Sequence, residues 1–265
     1  MVARVRKRWS NAAAWSRRVG VFTVPALILA VIGFRIDYID AVGLFTLLAI
    51  VWVAALIAVI LALFAFIGIW NNGYVGLRKA LVGLFWGLIA LAMPAMAGTM
   101  MYQYPMLNDI STDVDDPPFF RTAPANRTEM MNVHGAIEPE QAEAQRAAYP
   151  DIATRRYDAD TARLFAVARY VAGQTDWQVI DEIAPVDDQS PARIEAVART
   201  LIFGFRDDVV IRILSDPVGS RLDIRSASRY GRHDLGTNAK RIREFLTAID
   251  KALVSTPIDY DPAGV

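Results

Sequence analysis

Cysteine is absent from all 265 residues. This removes disulfides, thiolate nucleophiles and Cys-ligated zinc, and it leaves the redox compartment open. Histidine is scarce: His134 and His233 are the two present, far apart and without ligand spacing, so no metal site is expected. Walker and dinucleotide-binding patterns are missing, and no cofactor is expected. Acidic residues are rare at one end. Before Pro105 there are Asp37 and Asp40 against nine Lys and Arg, a local balance of +7; from Pro105 onward it is −7, and the two cancel to a formal net charge of +0. A C-terminal half of that sign is unsuited to phosphate backbones, so no nucleic-acid partner is expected.

Ionisable residues are also missing from the interiors of the two longest apolar runs, Ala41–Trp70 and Leu77–Tyr102. Each exceeds the roughly 20 apolar residues a helix needs to cross a bilayer. An earlier run, Val19–Phe34, is shorter, contains Gly20 and Pro25, and must borrow flanking residues to span. Three transmembrane helices are predicted. Without intramembrane charges they read as an anchor in the lipid bilayer rather than a transporter or channel. The cations set the orientation. Arg4, Arg6, Lys7, Arg8, Arg17 and Arg18 precede the first run, and Arg78 and Lys79 lie between the second and third, whereas Asp109, Asp113, Asp115 and Asp116 follow the third. The positive-inside rule then puts the N-terminus in the cytoplasm and everything after the third run outside. The expectation is a multi-pass protein of the cytoplasmic (inner) membrane with a periplasmic domain. No small-x-small cleavage site follows Phe34, so the first run is expected to be retained. Gly83 and Gly87, like Ala54, Ala58 and Ala62, are spaced for close helix approach, read as packing within the chain.

The remainder divides into a polar Pro/Ala-rich linker and arm over 105–157 and an α+β domain over 158–265, after a membrane anchor over 1–104. In the arm, Pro117 and Pro118 impose extended or turned backbone, and Glu138–Ala148 suits a short helix. In the domain, a helix capped by Asp158 or Asp160 leads into four alternating stretches, roughly Trp177–Ile183, Arg193–Phe203, Val209–Leu214 and Ser220–Ser226. Arg206-Asp207 and Asp216-Pro217 read as hairpin turns. A last helix, near Thr237 to Leu253, repeats apolar residues at helical spacing. The predicted fold is a four-stranded antiparallel sheet with helices packed on one face. Glu195, Arg199, Arg212, Arg221, Asp223 and Arg225 alternate onto the other face. That face reads as solvated with lateral salt bridges or, alternatively, as a charged docking surface.

Between the fourth strand and the last helix stands RSASRYGRHDLGTNAKR, Arg225 to Arg241. Together with EAVART, FGFRDDVVIRI and DISTDVDDPPFF, it resembles the family known as domain of unknown function 1499. The likeness covers about Asn108 to Ile249. It implies a domain often found beyond a membrane or behind an export signal, with no assigned activity. Many members carry a cysteine in the N-terminal arm, and this chain has none.

Physically, Arg225, Ser226, Ser228, Arg229, Asp234, Asn238 and Arg241 gather at a strand-to-helix corner. The free amides of a helix N-terminus and three arginines could hold an anion or meet a partner. Alternatively Asp234 caps the helix, Asn238 bonds loop backbone, and the arginines pair with Asp207, Asp208 or Asp223. No catalytic residue is assigned. Asp207 and Asp208 would point opposite ways on a strand and read rather as a turn with a capped backbone, and Ser228, His233 and Asp234 lack the elbow and oxyanion hole of a triad. Two functions follow. One is a non-catalytic domain that binds or scaffolds an envelope protein or anionic ligand. The other is an envelope enzyme acting on an anionic lipid or glycan, or more remotely a membrane sensor. The oligomeric state is open.

Overall fold

A computed structural model describes residues 8–187 and 189–255. Arg4, Arg6 and Lys7, which contribute to the charge asymmetry, lie outside the described residues. The chain forms two compact units, one up to residue 99 and one from residue 100 onward.

The first unit is built of α1 (Asn11–Arg35), α2 (Ala41–Asn72) and most of α3 (Leu77–Gln103). The Ser10 hydroxyl accepts from Ala13 N–H, and the Asp40 carboxylate accepts from Gly43 N–H, so side chains cap both N-termini. Gly73, at φ 63°, ends α2 in the left-handed conformation that glycine adopts without strain. All three helices are long and apolar enough to cross a membrane. The short first run does so by recruiting Asn11–Arg18, giving a helix of 25 residues.

The burial pattern runs opposite to a soluble bundle. Ala13, Ser16, Gly20 and Thr23 of α1 and Ala55, Ala58, Ala62 and Ala65 of α2 are buried, while Phe22, Leu29, Phe64 and Trp70 are exposed. Small residues let backbones approach, and large apolar ones are left outward, the pattern of helices suited to a hydrocarbon solvent. At the crossing of α1 and α3, a Cβ on Gly20 would lie 2.6 Å from the Gly83 carbonyl oxygen, and one on Gly83 would overlap Ser16. The Ser16 hydroxyl donates to the Ala58 carbonyl (2.8 Å), tying α1 to α2. The glycine and alanine spacings therefore serve packing within one chain.

The second unit carries one antiparallel sheet of six strands rather than the expected four: β1 (Asp109–Ser111), β2 (Arg155–Tyr157), β3 (Gln178–Ile183), β4 (Ala192–Arg199), β5 (Arg206–Asp216) and β6 (Gly219–Ser228). The order is β1-β6-β5-β4-β3, with β2 also on β6. The two additional strands come from the arm. β1 pairs with Arg225–Ala227, and β2 pairs with Ser220–Leu222. Between them the Thr112 N–H donates to Ile224 O, and the Thr112 hydroxyl accepts from Ile224 N–H. A strand edge otherwise leaves a row of backbone groups to be satisfied, and the arm satisfies this one.

A second correction concerns the β4–β5 turn. Arg206 and Asp207 already belong to β5, and Thr200 and Ile202 lie beyond β4. The turn is Thr200–Phe205, closed by Thr200 N–H to Phe205 O, with Gly204 at φ 78°. The second turn falls where expected, after Asp216.

Helices α4 (Pro139–Ala148), α5 (Thr161–Gly173) and α6 (Thr237–Ser255) complete the unit. Asp160 caps α5 through Arg163 N–H. On the helix-facing side of the sheet, Ile194, Ile211, Ile213, Leu222 and Ile224 are fully buried against Leu164 and Phe165 of α5 and Ile242 and Leu246 of α6. Trp177 stacks on Phe245 at 5.1 Å. Burying each such aliphatic side chain contributes about 1.5–3 kcal/mol.

Most of the charged face is covered: Glu195, Asp223 and Arg225 are buried and Arg212 and Arg221 half-buried, with Arg199 left exposed. Residues 109–135 of the arm cross it. Phe120 and Ala123 pack on Val210 and Ala227, and Glu195, Asp208 and Asp223 have no exposed surface. Glu195 shows how the cost of burial is offset. Its carboxylate accepts from Arg121, Thr122 and Ala123 N–H at 2.7–3.0 Å, at the start of the 3₁₀ turn Ala123–Asn126. Asp223 accepts from Arg212, Thr112 and Thr154. The lateral salt bridges do form, Arg212 with Asp223 and Arg193 with Asp181 and Glu195, but largely buried rather than solvated.

Candidate functional site

The strand-to-helix corner brings all seven expected residues close in the chain, but the sheet separates them into two clusters. Alternation along β6 sends Ser226 and Ser228 towards α6, and Arg225, with Arg229 just past the strand end, towards the arm.

On the helix side, the Ser226 hydroxyl donates to Asn238 Oδ1 (2.8 Å). Arg241 donates to the same amide oxygen (2.6 Å), to Ser226 Oγ (2.8 Å) and to Asp207 Oδ2 (2.6 Å). Asn238 Nδ2 donates to Ser228 Oγ and Asn108 O. Asp234 receives Gly236 and Asn238 N–H on its two oxygens, so it caps the start of α6. Burial pushes its carboxyl pKa up, against the opposing pull of those two amides. The tight path into the helix uses Gly231, Leu235 and Gly236, all at positive φ. A Cβ on Gly236 would meet the Tyr104 ring at 2.9 Å, so glycine also makes room there.

On the arm side, Arg225 grips Asp109 with two nitrogens (2.9 and 2.7 Å) and donates to Pro118 O and Gly135 O. Its guanidinium lies 5.3 Å from the centre of the Phe120 ring. Arg229 donates twice to Asp208 Oδ1 (3.0 and 2.7 Å). Arg127 donates to Asp208 Oδ2 (2.7 Å) and also to Asn132 O. His134 brings Nε2 to 3.3 Å from Asp208 without a well-aligned hydrogen bond, and its ring stacks on Phe120 at 3.9 Å.

One carboxylate thus faces two guanidiniums and an imidazole, with side-chain exposures of 0% for Asp208, 6% for Arg127 and 5% for Arg229. Burial alone would raise the Asp208 pKa. The imidazole of His134 at 3.3 Å, the hydrogen bonds from Arg229 and the charges of Arg127 and Arg229 outweigh it, and the net shift is downward. Burial pushes the His134 pKa down, and Arg127 adds to this while Asp208 opposes it.

Asp109, Arg127 and His134 went unrecognised as partners of the corner because they lie about 90–120 residues away along the chain. Two of the pairings expected for the motif arginines occur, Arg229 with Asp208 and Arg241 with Asp207; Arg225 pairs with Asp109 instead, and Asp223 is taken by Arg212 of β5. Arg241 also lines a groove of about 300 Å³ with Trp177, Arg199, Thr200, Lys240 and Glu244, between the β4–β5 turn and α6. Among the described residues, no three His, Asp or Glu side chains are grouped to hold a metal ion.

Residues 109–249 match the family described as "Protein of unknown function (DUF1499)". The chain belongs to the DUF1499 family. The matched segment starts at β1 and ends within α6, so the DUF1499 region takes in the arm as well as the sheet. Among solved structures, the protein MLL2253 from Mesorhizobium loti is 10% identical, with 40% of this chain and 96% of that chain covered at a TM-score of 0.30. No curated protein matches.

Proposed function

We propose that this DUF1499 protein is an envelope component whose three helices hold a non-catalytic binding or scaffolding domain outside the cytoplasmic membrane. The observation that carries the reading is how the motif's charges are used. Arg225, Arg229 and Arg241 are spent on Asp109, Asp208 and Asp207 inside the fold. A substrate-gripping enzyme would need such cations facing a cleft. The motif carboxylate with the raised pKa, Asp234, has both oxygens on backbone amides and does not line the groove. The motif therefore serves as a brace joining arm, sheet and α6.

Binding is assigned to the surface beside the brace, the groove lined by Trp177, Arg199 and Lys240. An aromatic and two basic side chains lining one groove suit an acidic segment of an envelope protein. The outward placement rests on the charges, with Arg78 and Lys79 opening α3 and Asp109, Asp113, Asp115 and Asp116 following it.

Two experiments test the reading. Alkaline phosphatase fused after Val265 is expected to be active, and activity of a cytosol-only reporter at that position would overturn the orientation. A photocrosslinking residue at position 240 is expected to capture an envelope protein that one at Val186, on a distant exposed loop, does not. Equal capture at both positions would remove the groove from the argument.

A further inference from the structure

The first unit contains a larger groove of about 900 Å³, running along α1 and α3 beside their glycine crossing. Its rim is held in place. Ser10 N–H donates to Val75 O (3.0 Å), and Val75 N–H donates to Arg8 O (2.8 Å), pinning the segment before α1 against the α2–α3 loop. The lining changes character along the helices. At the rim stand Arg17 of α1 and Arg78 and Lys79 of α3. One or two turns further into each helix stand Val21, Val82 and Trp86. The bridge between Trp9 and Val75 is parallel, and Ala13 meets Gly76 where Ser16 and Gly20 meet Gly83, so α1 and α3 run in the same direction. Cations therefore share one end of the groove, and apolar side chains share the other.

These cations have no internal counter-ion. Asp37 and Asp40 are the sole carboxylates before residue 105, and both sit between α1 and α2, at the opposite ends of those helices. Lys79 lies over the Trp9 ring at 4.7 Å, and neither Arg17 nor Arg78 has an ion-pair partner among the described residues. A membrane-spanning unit with an amphipathic groove, cationic at the interface and apolar below, matches a ligand of the same polarity.

We propose that this groove binds one anionic phospholipid. Its phosphate sits among Arg17, Arg78 and Lys79, and an acyl chain lies along Val21, Val82 and Trp86. A free phosphate would use the rim alone and leave the apolar end without a role. The assignment does not depend on which side of the membrane this end faces, so it stands or falls separately from the reporter fusion.

The test uses the full chain purified in mild detergent and examined by native mass spectrometry with added dioleoylphosphatidylglycerol, dioleoylphosphatidylcholine or inorganic phosphate. One phosphatidylglycerol is expected to be retained per chain, at least about tenfold in preference to phosphatidylcholine. At about fivefold per cation lost near an anionic headgroup, Arg17→Gln with Arg78→Gln lowers its binding about 25-fold. The single charge loss Arg18→Gln, at a residue that stacks on Trp15 outside the groove, leaves binding within about twofold, against about fivefold for Arg17→Gln alone. The doubly conservative Arg17→Lys with Arg78→Lys variant retains binding and shows that the unit still folds. Equal retention of phosphatidylcholine, an equal loss with Arg18→Gln, or displacement of the lipid by millimolar inorganic phosphate would each overturn the proposal.

Discussion

Replacing Asp208 with Asn changes one oxygen to an amide nitrogen and removes a buried charge from between Arg127 and Arg229. The volume hardly changes, so the effect is electrostatic. With the carboxylate fully buried and the two guanidiniums 5–6% exposed, the variant leaves two cations in a site that water scarcely reaches. Breaking a buried pair from one side costs about 3–5 kcal/mol. Against a typical domain stability of about 5–15 kcal/mol, that is a large share. The full chain in detergent micelles would be followed by hydrogen exchange of peptides covering β5 and β6 across a urea series. A parallel Asp151→Asn variant provides the scale. Its partner Arg243 is 41% exposed and Asp151 is 53% exposed, so about 0–1 kcal/mol is expected. Arg229→Gln combined with Asp208→Asn should cost less than the sum of the two single changes, because Arg229→Gln removes one of the cations that Asp208→Asn leaves stranded. A loss below about 1 kcal/mol for Asp208→Asn, or strict additivity with Arg229→Gln, would refute the idea that this carboxylate holds the arm through charge.

Further predictions follow from the same packing. Phe120→Ala removes the ring that fills the space between Val210, Ala227 and His134, and it should cost about 3–5 kcal/mol and expose residues 109–135 to limited proteolysis. Gly83→Ala forces a methyl into Ser16, so resistance of the three-helix unit to SDS unfolding should fall by about 1–3 kcal/mol, whereas Gly98→Ala, with open space around it, should leave it unchanged. The pKa of His134 is lowered in the folded protein, mainly by burial. The unfolded chain therefore takes up its proton first as pH falls, and the stabilisation present above the unfolded value of 6.5 declines below it. The thermal midpoint of the second unit should drop between pH 7 and pH 5.5, and His134→Phe, which keeps a ring against Phe120, should flatten that drop.

The parts legible in the sequence were those written as side-chain periodicity. Ile194, Ile211, Ile213, Leu222 and Ile224 alternate because one face of the sheet meets helices, and the apolar repeat of α6 extends over several turns. β1 and β2 are three residues each, too short to alternate, and their partner β6 is remote in the chain. The charged face misled for a related reason. Glu195 is satisfied by backbone N–H groups of Arg121, Thr122 and Ala123, and a backbone amide has no letter of its own. Asp207-Asp208 resembled a turn because acidic pairs are common in turns, whereas here each carboxylate neutralises an arginine on its own side of the sheet. The residue types at the strand-to-helix corner were recognisable, but their division between two faces emerged only once the arm was in place.

With β1, Thr112 and β2 laid end to end along β6, that flank has no vacancy for a strand from another molecule. Recruitment by strand donation, or runaway stacking of copies, would have to begin at β3. There the row is six residues long, interrupted by an irregularity between Val179 and Asp181, and ends in Asp181-Glu182-Ile183. A short, kinked, acidic selvage is a poor template for further growth. Neighbouring copies are thereby kept from zipping into fibres.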